Sequence, residues 1–160
     1  MNKKFENIRT GVIGVGSMGQ NHARVYNDIS NLVGIADTNE IHGKELAKRF
    51  GVKWYRNFED MLEFVDAVSI AVPTFLHLKI AKKVIFSNVH ILVEKPLSDN
   101  IKDAEKIVNL AKKANLILSV GHVERHNPVI KYARNAIDKG DWGEIITLSS
   151  RRVSRFPERI

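Results

Sequence analysis

The sequence alternates short apolar runs with stretches of helical periodicity, and this alternation constrains the fold more than any other feature. The runs that predict buried strands are TGVIGV (10–15), LVGIAD (32–37), VKWY (52–55), DAVSIAVP (66–73), VHILVEKP (89–96) and LILSVG (116–121). Near-continuous apolar strands that alternate with helices are typical of a parallel sheet covered on both faces. We therefore predict an α/β fold over residues 1–121, a doubly wound parallel sheet of the Rossmann type.

The pattern changes after Gly121. Residues 127–140 predict a helix that ends at Gly140, and EIITLSSRRVSRF (144–156) predicts a long strand. A long strand with no later partner in the chain would expose an unpaired edge. We therefore expect residues 122–160 to begin a second α/β domain, for substrate binding and oligomerisation, of which only the first part is present.

Composition excludes several classes of function. The 160 residues include no cysteine, which excludes disulfides, thiolate catalysis and cysteine-based metal sites, and favours a cytoplasmic protein. No run approaches the ~20 apolar residues of a membrane span. The formal charge of +7 is spread over helix-like stretches without a nucleic-acid-binding motif, so anionic small molecules are expected rather than DNA or RNA. The histidines lack metal-ligand spacing, so no metal is predicted.

A glycine pattern follows the first predicted strand and opens the first helix. It is Gly14-x-Gly16-x-x-Gly19, with Ser17 and Met18 between the last two glycines. The first glycine permits a tight turn, the second lets the backbone approach a pyrophosphate, and the third lets the helix pack on the strand. The helix N-terminus adds free N–H groups for the phosphates. This arrangement predicts a dinucleotide site.

Asp37 ends the second predicted strand, 18 residues after Gly19. A carboxylate at this place accepts hydrogen bonds from the adenosine ribose hydroxyls and repels a 2′-phosphate. Thr38 and Asn39 follow, where an arginine would favour NADP. We therefore predict NAD as the cofactor. The alternative is that Asp37 merely caps the next helix.

Three further motifs, VPTFLH, EKP and GHVERHNP, lie at or after the ends of later strands. With the glycine turn, they make the chain resemble the N-terminal half of the oxidoreductase family named after glucose–fructose oxidoreductase, inositol dehydrogenase and the rhizopine-catabolism protein. The resemblance implies a Rossmann domain followed by a C-terminal α/β domain with an open sheet. It also implies hydride transfer between nicotinamide and a carbinol carbon of a sugar or cyclitol.

The resemblance assigns roles to individual residues. Lys95 of EKP would exchange a proton with the substrate hydroxyl, Glu94 would hold nearby groups, and the bond before Pro96 would be cis. Residues at the ends of the fourth and fifth strands would line the cofactor: Val72, Pro73, Thr74, His77, Glu94, Lys95 and Pro96. For His77 a capping or packing role is an equal alternative, and a solvated strand end is the alternative for EKP.

GHVERHNP resembles a family segment with an aromatic residue where His126 stands here. His122 and Arg125 would border the substrate cleft, with a structural role as the alternative for Arg125. RRVSRFPERI resembles the UDP-N-acetylglucosamine 3-dehydrogenase branch, in which Arg151, Arg152 and Arg155 would bind a diphosphate. A solvated basic strand is the alternative for these arginines.

The family's second catalytic motif, an aspartate and a histidine on a helix of the C-terminal domain, has no counterpart in this sequence. We therefore expect the chain to be the N-terminal portion of a longer enzyme that forms a homo-oligomer through its C-terminal domain. The rival hypothesis is a regulatory module that senses NAD(H) without catalysis. It accounts for the glycine turn and Asp37 but gives no reason for EKP.

Overall fold

The computed structural model describes residues 4–151 and 153. The chain divides into two compact units, Met1–His122 and Val123–Ile160. Each unit is described below by itself. Within the described residues, no helix has both the length and the apolar character that a membrane span requires.

The first unit alternates strands and helices as the sequence pattern predicts. Its strands are β1 (Phe5–Ile13), β2 (Ser30–Ala36), β3 (Lys53–Tyr55), β4 (Ala67–Ile70), β5 (His90–Val93) and β6 (Leu118–Val120). Its α-helices are α1 (Gly19–Ile29), α2 (Glu40–Phe50), α3 (His77–Phe86) and α4 (Ile101–Lys113). The segment Phe58–Phe64 forms a 3₁₀ helix.

The strands form one six-stranded sheet in the order β3-β2-β1-β4-β5-β6, and every pair is parallel. The predicted doubly wound parallel sheet is confirmed. The chain runs outward from β1 to one edge and then crosses back to β4 on the other side of β1. A crevice opens at the carboxyl ends of β1 and β4, which is where ligands bind in sheets of this topology.

Helices cover both faces of the sheet. Adjacent residues of β1 point to opposite faces, as the pleat requires: Val12 belongs to a core cluster with α1 and α2, and Ile13 belongs to the larger cluster that includes α3 and α4. Apolar side chains from both faces of each strand are therefore buried. This explains why the strands form near-continuous apolar runs rather than alternating ones.

The helix ends follow from single side chains. Asn39 caps α2 by accepting a hydrogen bond from the His42 N–H, and Gly51 ends that helix in the left-handed conformation at φ 68°. Three residues of types that commonly cap helices precede α4: Ser98, Asp99 and Asn100. The structure selects Asn100, whose side-chain oxygen accepts from the Asp103 N–H at 2.9 Å.

Over residues 123–151 and 153, the second unit contains a 3₁₀ turn, Val123–His126, and one α-helix, α5 (Pro128–Asp138). Asn127 caps α5 by accepting from the Val129 N–H, and Pro128 occupies its first turn, so the predicted helix is present. The strand predicted for 144–156 is wrong over residues 144–151 and 153, which have no regular structure. A strand requires a partner edge for its backbone groups, and none of the described strands pairs with this segment.

The cap at Asn100 gives a prediction for stability. Asn100→Ala should lower the free energy of unfolding by about 1 kcal/mol, because the Asp103 N–H loses its partner. Ser98→Ala is the matched control. The Ser98 hydroxyl bonds only to Asp99 on the surface, so the change should stay within about 0.5 kcal/mol. Urea unfolding of the three proteins measures both effects, and equal losses for the two variants would contradict the cap assignment.

Candidate cofactor site

The chain passes from β1 to α1 through the glycine turn. Gly14 has φ 81°, a conformation that other residues rarely adopt. Its N–H donates to the Ala36 carbonyl at the end of β2. No side chain caps α1, and its first turn contains no acidic residue. The N-terminus of α1 therefore presents backbone N–H groups and a positive dipole end to an anion.

The three glycines meet different surroundings. A Cβ on Gly19 would lie 1.8 Å from the Gly14 carbonyl oxygen, and a Cβ on Gly14 would lie 2.7 Å from the Val72 side chain. A Cβ on Gly16 would meet nothing within 4 Å. Gly14 and Gly19 are thus required by the fold itself, whereas the protein leaves open space in front of Gly16. A bound pyrophosphate is a ligand that needs this space.

Asp37 connects the glycine turn to the end of β2. Its Oδ2 accepts from the Val15 N–H and its Oδ1 from the Asn39 N–H, both at 2.8 Å. The cap of α2 is Asn39, so the alternative that Asp37 caps this helix is wrong. A carboxylate has about four lone-pair sites. Two protein donors therefore leave room for ribose hydroxyls.

A cleft of about 430 Å³ lies along the crevice. Gly14, Gly16, Asp37, Val72 and Pro73 line it, all of which are predicted cofactor residues. Its other walls are Ile13, Ala36, Thr38, Arg56, Phe58, Ala71, Leu76, Lys79 and Ile80. The glycine turn, the acidic residue and the end of β4 are therefore brought together at one cleft. The predicted residues that are not part of its lining are Ser17, Met18, Gly19, Thr74, His77, Glu94, Lys95 and Pro96.

Arg56 is a cation of the cleft that sequence reasoning did not identify. It follows β3, and its Nη1 donates to Glu40 Oε2 at 3.1 Å. Glu40 also accepts from Lys44, and this hydrogen bond, together with the nearby positive charge, lowers the pKa of the Glu40 carboxyl. An ionised Glu40 partly neutralises Arg56, which weakens its attraction for a 2′-phosphate.

Lys95 lies two residues after the end of β5, and its side chain is exposed. Its backbone N–H donates to Glu94 Oε2 at 3.1 Å. The Lys95–Pro96 peptide bond is cis, as expected from the resemblance. Because β5 is parallel to β4 and next to it, its carboxyl end lies at the same edge of the sheet as the crevice.

His77 is buried at the start of α3, with 1% of its surface exposed. Its Nε2 lies 3.0 Å from the Val72 carbonyl oxygen, and its Nδ1 lies 3.1 Å from the Pro96 and 3.3 Å from the Leu97 carbonyl oxygen. The ring thus connects the loop after β4 to the loop after β5. His77 thus holds together two loops at the carboxyl edge of the sheet, where the crevice opens. This goes beyond the packing role considered from the sequence.

The predicted substrate residues belong to both units of the chain. His122 is exposed after β6 in the first unit, whereas Arg125 and Arg151 are exposed residues of the second unit. Arg152 and Arg155 lie outside the described residues. Among residues 4–151 and 153, no group of three His, Asp or Glu side chains has the arrangement of a metal site.

The contrast between Gly16 and Gly19 predicts separate effects on binding and folding. Gly19→Ala should cost more than about 2 kcal/mol of stability, since backbone rather than a mobile side chain opposes the new Cβ. Gly16→Ala should change stability by less than about 0.5 kcal/mol. It should nevertheless weaken NAD binding at least tenfold, because the Cβ takes up the space left for the pyrophosphate.

Urea unfolding and calorimetric titration with NAD measure these two quantities for each variant. If a folded Gly16→Ala protein binds NAD with normal affinity, the pyrophosphate does not lie in front of Gly16.

Comparison with known proteins agrees with this geometry. Residues 8–122 match the model of an oxidoreductase family described by its NAD-binding Rossmann fold. UDP-N-acetylglucosamine 3-dehydrogenase from Acidithiobacillus ferrooxidans is 36% identical over 152 residues, which are 95% of this chain and 47% of that protein. A crystal structure of that enzyme matches 81% of this chain and 43% of its own, with a TM-score of 0.78 and 38% identity.

A second solved structure shows the cofactor class. It is a scyllo-inositol dehydrogenase from Lactobacillus casei with bound NAD(H) and scyllo-inositol, at a TM-score of 0.80 and 25% identity, covering 86% of this chain and 42% of that one. The chain thus spans less than half the length of these relatives. NAD is the cofactor of the fold. On the family match and these relatives, the chain belongs to the Gfo/Idh/MocA oxidoreductases, the family of glucose–fructose oxidoreductase, inositol dehydrogenase and the rhizopine-catabolism protein.

Proposed function

We propose that this chain is the cofactor-binding part of a dehydrogenase that oxidises a carbinol carbon of a nucleotide sugar, with Lys95 as the group that takes the hydroxyl proton. The observation that carries the proposal is the position of Lys95. An exposed amine stands at the carboxyl end of β5, at the edge of the sheet where the NAD crevice opens, and its backbone is fixed by Glu94.

Oxidation of an alcohol to a ketone removes a hydride from carbon and a proton from oxygen. Bound NAD supplies the hydride acceptor. The chain itself must supply a base for the proton, and a lysine can do so in its neutral form. Proximity to a positively charged group favours that neutral form. The general chemistry therefore calls for an amine near the nicotinamide end of the site, which is the role that we assign to Lys95.

The residues around the turn fit NAD. Gly14, Gly16 and the N-terminus of α1 would hold the pyrophosphate, and Asp37 would accept hydrogen bonds from the adenosine ribose. Val72 and Pro73 would line the remainder of the cleft. Thr74, His77 and Pro96 follow the same strand ends and would support or border the cofactor.

The nucleotide-sugar substrate is supported by similarity to UDP-N-acetylglucosamine 3-dehydrogenase. Arg151 is exposed and available for a diphosphate, and Arg152 and Arg155 are proposed for the same role from the sequence alone. We propose that His122 and Arg125 border the substrate, that residues 122–160 begin the substrate domain, and that this domain carries the oligomer contacts. A cytoplasmic location is proposed from the lack of cysteine.

The position of Asp37 predicts cofactor preference. The chain should bind NAD about 10- to 100-fold more tightly than NADP, which corresponds to the roughly 1.5–3 kcal/mol of hydrogen bonds to a charged group. Asp37→Asn should lower this preference for NAD over NADP, because the charge that repels a 2′-phosphate is removed. Calorimetric titration with both dinucleotides measures the ratio. Equal or tighter binding of NADP by the unmodified chain would contradict the role of Asp37.

The role of Lys95 predicts a loss of turnover without a loss of cofactor. In a form of the protein that includes a complete substrate domain, Lys95→Ala should lower kcat by about 10²–10⁴-fold, the range of a general acid–base group. The dissociation constant of NAD should change less than about threefold. Lys113→Ala is the matched control, since Lys113 is an exposed lysine in the last turn of α4.

Assay with NAD and UDP-N-acetylglucosamine, and with inositols for comparison, also tests the substrate class. Normal kcat in Lys95→Ala would eliminate the proton-transfer role. NAD binding without any turnover in the complete protein would favour the regulatory module.

A further inference from the structure

Four polar side chains form a hydrogen-bonded chain that runs from α1 to the residue before Lys95. Its members are Tyr26 and His22 of α1, Ser69 of β4 and Glu94 after β5. The Ser69 hydroxyl donates to Tyr26 Oη at 2.8 Å, His22 Nδ1 lies 3.1 Å from Ser69 Oγ, and His22 Nε2 lies 2.9 Å from Glu94 Oε1. None of these residues lines the cleft described above.

The hydrogen-bond directions follow from the number of protons. Ser69 has one hydroxyl proton, and Tyr26 accepts it. Burial raises the pKa of the Tyr26 phenol, and the hydrogen bond from Ser69 offsets part of this effect. A carboxylate oxygen can only accept, so His22 Nε2–H donates to Glu94 Oε1. The contacts of Nδ1 with Ser69 and of Nε2 with Glu94 together fix the orientation of the imidazole.

Glu94 has little freedom to move. Only 7% of its surface is exposed, and its second oxygen accepts from the Lys95 N–H at 3.1 Å. A Cβ on Gly121 would lie 2.8 Å from Glu94 Oε1, so the end of β6 closes the space beside the carboxylate. Within the described residues, no buried side-chain nitrogen or oxygen lacks a partner, and Glu94 is satisfied by His22 and Lys95 together.

We propose that His22, acting through Glu94, is a positioning residue for Lys95; the proposal rests on the proton-transfer role proposed for Lys95. The Lys95 side chain is exposed and gains no fixed place from packing. Its direction depends on the backbone that carries it. Glu94 fixes that backbone on the N–H side of Lys95, and His22 fixes Glu94. The chain of hydrogen bonds thus transmits the rigidity of α1 and β4 to the proposed base.

A purely structural role would not need this arrangement. A carboxylate is costly to bury, and apolar residues of similar volume often stabilise a protein as well as a buried ion pair does. A buried polar network in which every member has a hydrogen-bond partner makes its surroundings rigid. Here the network ends at the backbone of a residue whose geometry a proton transfer requires.

The test uses the whole chain and amide hydrogen exchange of Lys95, followed by NMR. His22→Phe retains a ring but lacks both nitrogens, and Glu94→Ala lacks the carboxylate. In both variants the Lys95 amide should exchange at least tenfold faster relative to the Val93 amide. Glu94→Gln is the conservative variant. Its amide oxygen can accept from the Lys95 N–H, and its NH2 group can donate to His22 Nε2 when the ring proton is on Nδ1. Exchange at Lys95 should therefore stay within about threefold of the unmodified chain.

Thr10→Val is the control for a general loss of stability. The hydroxyls of Thr10 and Ser30 are buried and 2.9 Å apart, so this variant also removes a buried hydrogen bond, but at another place in the sheet. It should leave Lys95 exchange relative to Val93 unchanged. If His22→Phe does not fold, the difference in Lys95 amide exchange between Glu94→Ala and Glu94→Gln tests the proposal. Equal Lys95 exchange in these two variants, or the same change in Thr10→Val, would overturn the proposal.

Turnover in a form of the protein with a complete substrate domain separates this proposal from the proposed function. Glu94→Ala should lower kcat at least tenfold with KM for NAD within about threefold, and Glu94→Gln should recover most of the loss. Normal turnover in Lys95→Ala would refute the proton-transfer role of Lys95, whatever the exchange data show. Unchanged Lys95 exchange in His22→Phe and Glu94→Ala would refute the positioning role, even if Lys95→Ala is inactive.

Discussion

The structure depends on the close approach of the N-terminus of α1 to the end of β1. No atom larger than hydrogen fits between the Cα of Gly19 and the carbonyl oxygen of Gly14. This contact sets the height at which α1 begins, and through it the place where its backbone N–H groups face the crevice. The same turn donates two hydrogen bonds to the β2 side, one from the Val15 N–H to Asp37 and one from the Gly14 N–H to the Ala36 carbonyl. The contacts that hold the fold together at this turn therefore also shape the cofactor site.

Polar side chains make further contacts of this kind along the carboxyl edge of the sheet. Asp37 joins β2 to the glycine turn, His77 joins the loops after β4 and β5, and His22 with Glu94 joins α1 to Lys95. Each of these side chains has its partners within the protein. Strand ends and loops, which are usually the more mobile parts of a fold, are thus held at the edge of the sheet where the crevice opens.

Much of this could be predicted from the sequence, because the signals are local. The apolar runs predict the strand positions. The glycine pattern Gly14, Gly16 and Gly19, together with Asp37, predicts the location of the cleft. The contacts of His22 and His77 could not be predicted, since their partners are 72 and about 20 residues away along the chain. Arg56 was missed for a similar reason, because the sheet order brings the residue after β3 to the cleft. The strand predicted for 144–156 shows the opposite error over residues 144–151 and 153, while its other residues lie outside the described part of the chain. Its composition favours a strand, but a strand forms only where a partner edge is available.

We propose that one crevice holds NAD, with Asp37 at the adenosine end and Lys95 at the nicotinamide end. Titration of the ¹⁵N-labelled chain with NAD, followed through backbone amide shifts, tests it most directly. The account predicts saturable shifts, all with one dissociation constant, at Gly14, Gly16, Thr38 and Lys95, while the amides of α4 around Asn109 stay unchanged. Saturable shifts that exclude Gly16 and Lys95, or that centre on α4, would contradict it.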